Sequence, residues 1–95
     1  MSAYVVADID ITDAELYEQY KPLASAAIEK YGARPLVRGG EVEAAEGSWK
    51  PKRFVILEFP SMEQLRKFYD SPEYVKARAV RQKASKSKVI FVKGV

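Results

Sequence analysis

The sequence predicts an α+β sandwich, a four-stranded antiparallel sheet with helices on one face, and three observations lead there. Apolar and polar side chains alternate with the two-residue period of a strand in separate stretches near the start, middle and end of the chain. Between them stand two helix-start signatures, Thr12-Asp13-Ala14-Glu15 and Ser61-Met62-Glu63-Gln64, whose spacing satisfies the free amides of a first helical turn. The resulting order is strand, helix, strand, strand, helix, strand, with no internal repeat, linker or low-complexity segment to suggest more than one domain over residues 1–95.

Each element has its own warrant. In residues 3–11, Val5, Ala7 and Ile9 fall on one side, with Tyr4, Val6, Asp8 and Asp10 on the other. The first helix places Leu16, Tyr20, Leu23, Ala27 and Tyr31 at steps of three or four, widened by Ala24 and Ile28. Pro22 is expected to kink it and Gly32 to end it. Residues 34–45 read as a second strand interrupted at Gly39-Gly40, with a bulge there preferred over a hairpin turn, and Glu46-Gly47-Ser48-Trp49 as the turn that follows. Residues 53–59, bounded by Pro51 and Pro60, form the best-marked strand: Val55, Leu57 and Phe59 make one apolar side, Phe54, Ile56 and Glu58 the other. The second helix carries Leu65, Phe68 and Tyr69. It is expected to break and restart at Ser71-Pro72-Glu73, with Tyr74, Ala77, Arg78 and Arg81 sharing a face beyond. Residues 88–95 make the last strand. Right-handed crossovers turn this order into the split βαβ, ferredoxin-like βαββαβ sandwich.

Composition narrows the chemistry. The 95 residues contain no cysteine and no histidine, so thiolate sites, histidine metal ligation and histidine acid–base work are excluded, and no metal site or cofactor is expected. The net charge is only +3, but Lys76, Arg78, Arg81, Lys83, Lys86, Lys88 and Lys93 form an acid-free C-terminal run, while the first third is acidic. Such a run reads as a solvated face, or as attraction to an anionic ligand, nucleic acid or an acidic surface of a second subunit. The N-terminus has no basic leader and no apolar stretch reaches membrane-spanning length, so a cytoplasmic protein without a membrane partner is expected.

Parity sends Tyr4, Val6, Asp8, Phe54, Ile56 and Glu58 to the face the helices leave open, a surface too apolar to stay wet. An RNA-recognition module would place aromatics here, and Tyr4 and Phe54 fall on the right strands. Yet Phe54 and Val55 stand where the glycines of that pattern belong, and Asp8 and Glu58 oppose phosphate. The favoured reading is a homodimer through the open sheet face, closing a barrel with a small pocket per subunit. Tyr4, Asp8, Glu58 and Arg38 are then the expected polar lining: Arg38 pairs with an acid or orients an anionic or aromatic ligand, and Glu58 is the candidate catalytic acid–base group.

Four motifs carry a family resemblance: Leu36-Val37-Arg38-Gly39-Gly40, Glu46-Gly47-x-Trp49-x-Pro51-x-Arg53, Glu58-Phe59-Pro60-Ser61 and Tyr69-x-Ser71-Pro72-Glu73-Tyr74, followed by Arg81. Together they resemble the uncharacterised bacterial family called domain of unknown function 1330. The resemblance implies the dimeric α/β-barrel superfamily, which also holds cofactor-free monooxygenases, muconolactone isomerases and stress-responsive proteins. Matching motif positions makes Arg38, Trp49, Arg53, Glu58, Tyr69, Tyr74 and Arg81 site candidates, and a possible isomerase or monooxygenase-like enzyme stands beside a non-catalytic binding or stress-linked module. The structural alternatives are concrete. Trp49 would plug the dimer edge, Arg53 pair with an acid on its hairpin, Arg81 hold the Glu46 loop, and Tyr69 and Tyr74 bond backbone from the core.

Overall fold

The computed structural model describes all 95 residues, Met1–Val95. The elements are β1 (Ala3–Ile11), α1 (Ala14–Lys30), β2 (Arg34–Arg38), β3 (Arg53–Phe59), α2 (Met62–Tyr69), α3 (Pro72–Ala84) and β4 (Ser85–Lys93). The strands form one sheet in the order β2-β3-β1-β4, and every neighbouring pair is antiparallel. This is the expected ferredoxin-like topology. No helix is long and apolar enough to cross a membrane.

Local chemistry sets the helix ends. Asp13, not Thr12, caps α1: its carboxylate accepts from the Leu16 amide at 3.1 Å, and a negative charge suits the positive end of the helix dipole. The helix continues through Pro22 as one element. Gly32 (φ +70°) then closes it, with Gly32 N–H on the Glu29 carbonyl and Ala33 N–H on the Ile28 carbonyl, satisfying two orphan acceptors. Ser61 and Ser71 cap α2 and α3 as expected.

Two strands differ from expectation. β2 stops at Arg38, and Gly39 (φ +72°) turns the chain out of the sheet into a loop over residues 40–52. The bulge lies earlier than Gly39-Gly40: Pro35 faces Leu57 while Val37 already faces Ile56, so Leu36 is the extra residue. β4 begins at Ser85, immediately after α3, and pairs along the whole of β1.

The faces follow the expected parity. Ala3, Val5, Ala7, Ile9, Leu57 and Phe59 are buried under the helices. Phe68 anchors that layer, with ring centroids 5.1 Å from Phe59 and 4.5 Å from Tyr74. On the open face, Val37, Ile56, Val6 and Ile90 are successive cross-strand partners, one apolar row across all four strands. Ile90 is 59% exposed.

Candidate functional site

Small side chains leave a gap between sheet and helices. Ala7 on β1 faces Ala24 and Ser25 on α1, and the space between them is a cavity of about 170 Å³. Val5, Ile9, Ile28, Val55 and Leu57 make its walls apolar. A 150 Å³ apolar cavity can hold a benzene ring, so this one has room for a small organic molecule.

The polar lining is unusual in kind. Arg38, Arg53, Arg81 and Lys21 line the cavity together with Tyr17, Tyr20 and Tyr74, and no aspartate or glutamate does. Arg81 is only 4% exposed. Its Nη1 donates to the Tyr74 hydroxyl at 2.9 Å, and its Nε has no hydrogen-bond partner. The Tyr74 and Tyr20 hydroxyls are hydrogen-bonded to each other at 2.8 Å, and either can donate. If the Tyr74 oxygen accepts from Arg81 and its proton goes to Tyr20, the Tyr20 hydrogen is left free to donate. Burial, reinforced by Tyr74, pushes the Tyr20 phenol well above its ordinary range. Burial also raises Tyr74 against the pull of Arg81. For Tyr69, burial is outweighed by the Arg81 and Arg78 guanidiniums, which hold it below its ordinary value. Burial opposes the charge on Arg81, but the surrounding phenol oxygens outweigh it and the group stays cationic.

Arg53 is held by neighbours rather than by an acid. Its Nε donates to the Tyr17 hydroxyl at 3.1 Å, its guanidinium lies 5.6 Å from the Tyr17 ring centroid, and its Nη1 occupies the space a Cβ on Gly39 would need. Gly39 is required for its backbone, at φ +72°; a side chain there would displace only the flexible end of Arg53. Arg38 reaches the same cavity because of the Leu36 bulge. Uninterrupted alternation from Arg34, which faces Glu58, would send Arg38 to the open face; the extra residue pairs it with Val55 and turns it inward.

The expected site residues thus divide between the two sides of the sheet. Arg38, Arg53, Tyr74 and Arg81 meet at the cavity. Tyr69 stands just outside its lining, ring 5.5 Å from Tyr74 and capped by Arg78 at 4.4 Å. Tyr4, Asp8, Trp49 and Glu58 lie on the open side. The Tyr4 hydroxyl donates to Glu58 at 3.2 Å, Arg34 approaches the other Glu58 oxygen at 4.0 Å, and Trp49 Nε1 donates to Asp8 at 3.0 Å while resting edge-on against Phe54. The expected grouping of Arg38 with Glu58, Asp8 and Tyr4 is corrected: the sheet separates them, and Glu58 has no access to the cavity. Two smaller corrections concern partners. Arg53 bonds a phenol instead of a hairpin acid, and the Tyr74 hydroxyl meets Tyr20 and Arg81 instead of backbone. Tyr17 and Tyr20 were not site candidates, although the spacing 17, 20, 24, 27, 28 is as regular a helical stripe as the one starting at Leu16.

Several solved structures share this fold. A protein of unknown function from Rhodopseudomonas palustris, RPA0582, superposes with a TM-score of 0.78 at 19% identity, covering 99% of this chain and 82% of its own. SnoaB, a cofactor-independent oxygenase from Streptomyces nogalater, gives 0.65 at 11% identity over 99% and 93% of the two chains. A dimeric protein of unknown function and ferredoxin-like fold from Bacteroides fragilis gives 0.65 at 11% identity over 98% and 96%. At such identities the likeness is one of fold alone. No curated protein matches the sequence. The family-level match spans residues 2–95, and the chain belongs to the domain of unknown function family DUF1330.

Proposed function

We propose that this chain is a cytoplasmic, homodimeric binding protein that holds a small organic acid, aliphatic or aromatic, between its sheet and its helices. One observation carries the reading: Arg81 is buried, has no carboxylate within reach, and keeps one nitrogen unbonded. Its tyrosine neighbours stabilise the cation but none is a counterion, and a bound carboxylate would add charge-assisted hydrogen bonds. Arg38 and Arg53 strengthen the preference for an anion, and the apolar walls suit a hydrocarbon body.

Binding is favoured over acid–base catalysis. The cavity has neither a carboxylate nor a histidine, and Tyr20 and Tyr74 are phenols whose protons burial retains at neutral pH. A second reading is oxyanion stabilisation during cofactor-independent turnover. It is favoured by Arg81, Tyr74 and Tyr20 lying in one hydrogen-bonded chain, and by the shared fold of an oxygenase. The homodimer rests on the apolar row Val37, Ile56, Val6 and Ile90, and on a dimeric neighbour of the same fold.

Titration calorimetry with benzoate and hexanoate tests the reading. Wild-type protein is expected to bind at least one of them, with a loss of at least about tenfold in Arg81→Gln, the usual scale for a charged hydrogen bond. Failure of both acids to bind, or equal binding by wild type and variant, overturns it.

A further inference from the structure

The cationic groups of the cavity are not gathered at one point. Tyr20 packs against both Tyr17 and Tyr74, with ring centroids 5.2 Å and 6.4 Å away. Arg53 is fixed at the Tyr17 end by a hydrogen bond and a ring contact. Arg81 is fixed at the Tyr74 end by another hydrogen bond. The same division runs through the apolar packing: Tyr17 belongs with Ala7, Ile9 and Ala84, Tyr74 with Val5, Leu57 and Phe68.

Neither guanidinium takes part in a salt bridge. The four ion pairs of the chain are Lys21–Glu18, Lys30–Glu73, Arg34–Glu58 and Lys52–Asp10. Two fixed cations, two ends, apolar wall between them, and no acid: we infer that the cavity selects a small dicarboxylate, one carboxylate on Arg81 and the other on Arg53, over a monocarboxylate of the same carbon skeleton. This rests on the anion-binding reading above and narrows it. Arg53 is the specificity residue, because its guanidinium is already oriented by the Tyr17 hydroxyl and ring, so less rotamer freedom remains to be lost on binding. Arg38 is exposed and hydrogen-bonds nothing, so it lacks that preorganisation. The volume of about 170 Å³ limits the skeleton to roughly six carbons or a single ring.

Calorimetry at fixed ionic strength with matched pairs, adipate against hexanoate and terephthalate against benzoate, reads the inference directly. Each diacid is expected to bind wild type at least about tenfold more tightly than its partner. Arg53→Gln should erase that advantage, weakening the diacid at least about tenfold more than the monoacid, and an unchanged far-ultraviolet circular dichroism spectrum reports a folded cavity. Tyr17→Phe, which keeps the ring and removes only the hydroxyl that orients Arg53, should narrow the advantage in the same direction. If diacid and monoacid bind wild type equally, or Arg53→Gln weakens both alike, the dicarboxylate inference is wrong while the anion pocket stands. If no acid of either kind binds, both fall together.

Discussion

The two faces of this sheet use the same residue types in opposite ways. On the open face every acid of β1 and β3 has a partner: Tyr4 and Arg34 for Glu58, Trp49 for Asp8, Lys52 for Asp10. On the helix-covered face, three guanidiniums face phenols and hydrocarbon with no acid among them. A charge with an opposite charge beside it is accounted for by the fold. A buried charge without one is what the proposed ligand would answer. The contrast, more than any single residue, separates the face proposed for assembly from the face proposed for a ligand.

The largest test of that contrast is assembly itself. Ile56 lies in the middle of the apolar row, paired with both Val6 and Val37. Ile56→Lys buries an unpaired ammonium in the proposed seam, and light scattering should find a monomer with unchanged far-ultraviolet circular dichroism. A dimer that survives this change is held through some other surface.

A sharper test sets one arginine from each face side by side. Arg81→Met should lose acid binding by about tenfold or more, yet raise the ligand-free melting temperature, because a buried charge without a counterion is replaced by a side chain suited to the walls. Arg34→Met, at an exposed 4.0 Å pair, should change stability by no more than about 1 kcal/mol and leave acid binding alone. Thermal melts with and without benzoate distinguish the two. A destabilised apo Arg81→Met would mean that its bond to Tyr74 already satisfies the charge.

The smallest effect belongs to a pair on the helix side away from the cavity. Lys30 donates to Glu73 at 2.6 Å and the Tyr31 hydroxyl donates at 2.8 Å. Led by the Lys30 bond, these hold the Glu73 carboxyl at about 2 against an ordinary 4.5. A lowered carboxyl contributes stability that is complete above about pH 4.5 and fades as pH falls toward 2. Wild type should therefore lose more stability than Glu73→Gln across that interval in denaturant melts, and added salt should shrink the difference because the pair is exposed. Parallel curves would show that the pair contributes nothing.

Much of the fold was legible because its signals are local. Alternation in residues 3–11 and 53–59 assigned both faces correctly, and Ser61, Ser71 and Pro72 marked two helix starts. The arrangement of the site was less legible because it depends on register. A bulge was expected at the glycine pair, the conspicuous breaker, but the extra residue is Leu36, which looks like any strand residue. Register comes from pairing across strands, and one sequence does not display it. That single displacement accounts for Arg38 being grouped with Glu58. Tyr20 was legible as a core residue, but its bond to Tyr74 joins positions 54 apart, beyond any spacing rule. Arg81 was legible as a site candidate sharing a helix face with Tyr74 and Ala77, where local periodicity suffices.

The direction of Arg38 is fixed by how many residues β2 contains, not by which residue occupies position 36. Exchanging Leu36 for another amino acid leaves Arg38 turned toward the cavity, whereas removing its codon would rotate the guanidinium through the sheet to the open face. In this architecture an insertion or deletion of one triplet can move a cation from one side of the sheet to the other in a single event, a change that counting amino-acid differences between relatives would score as trivial.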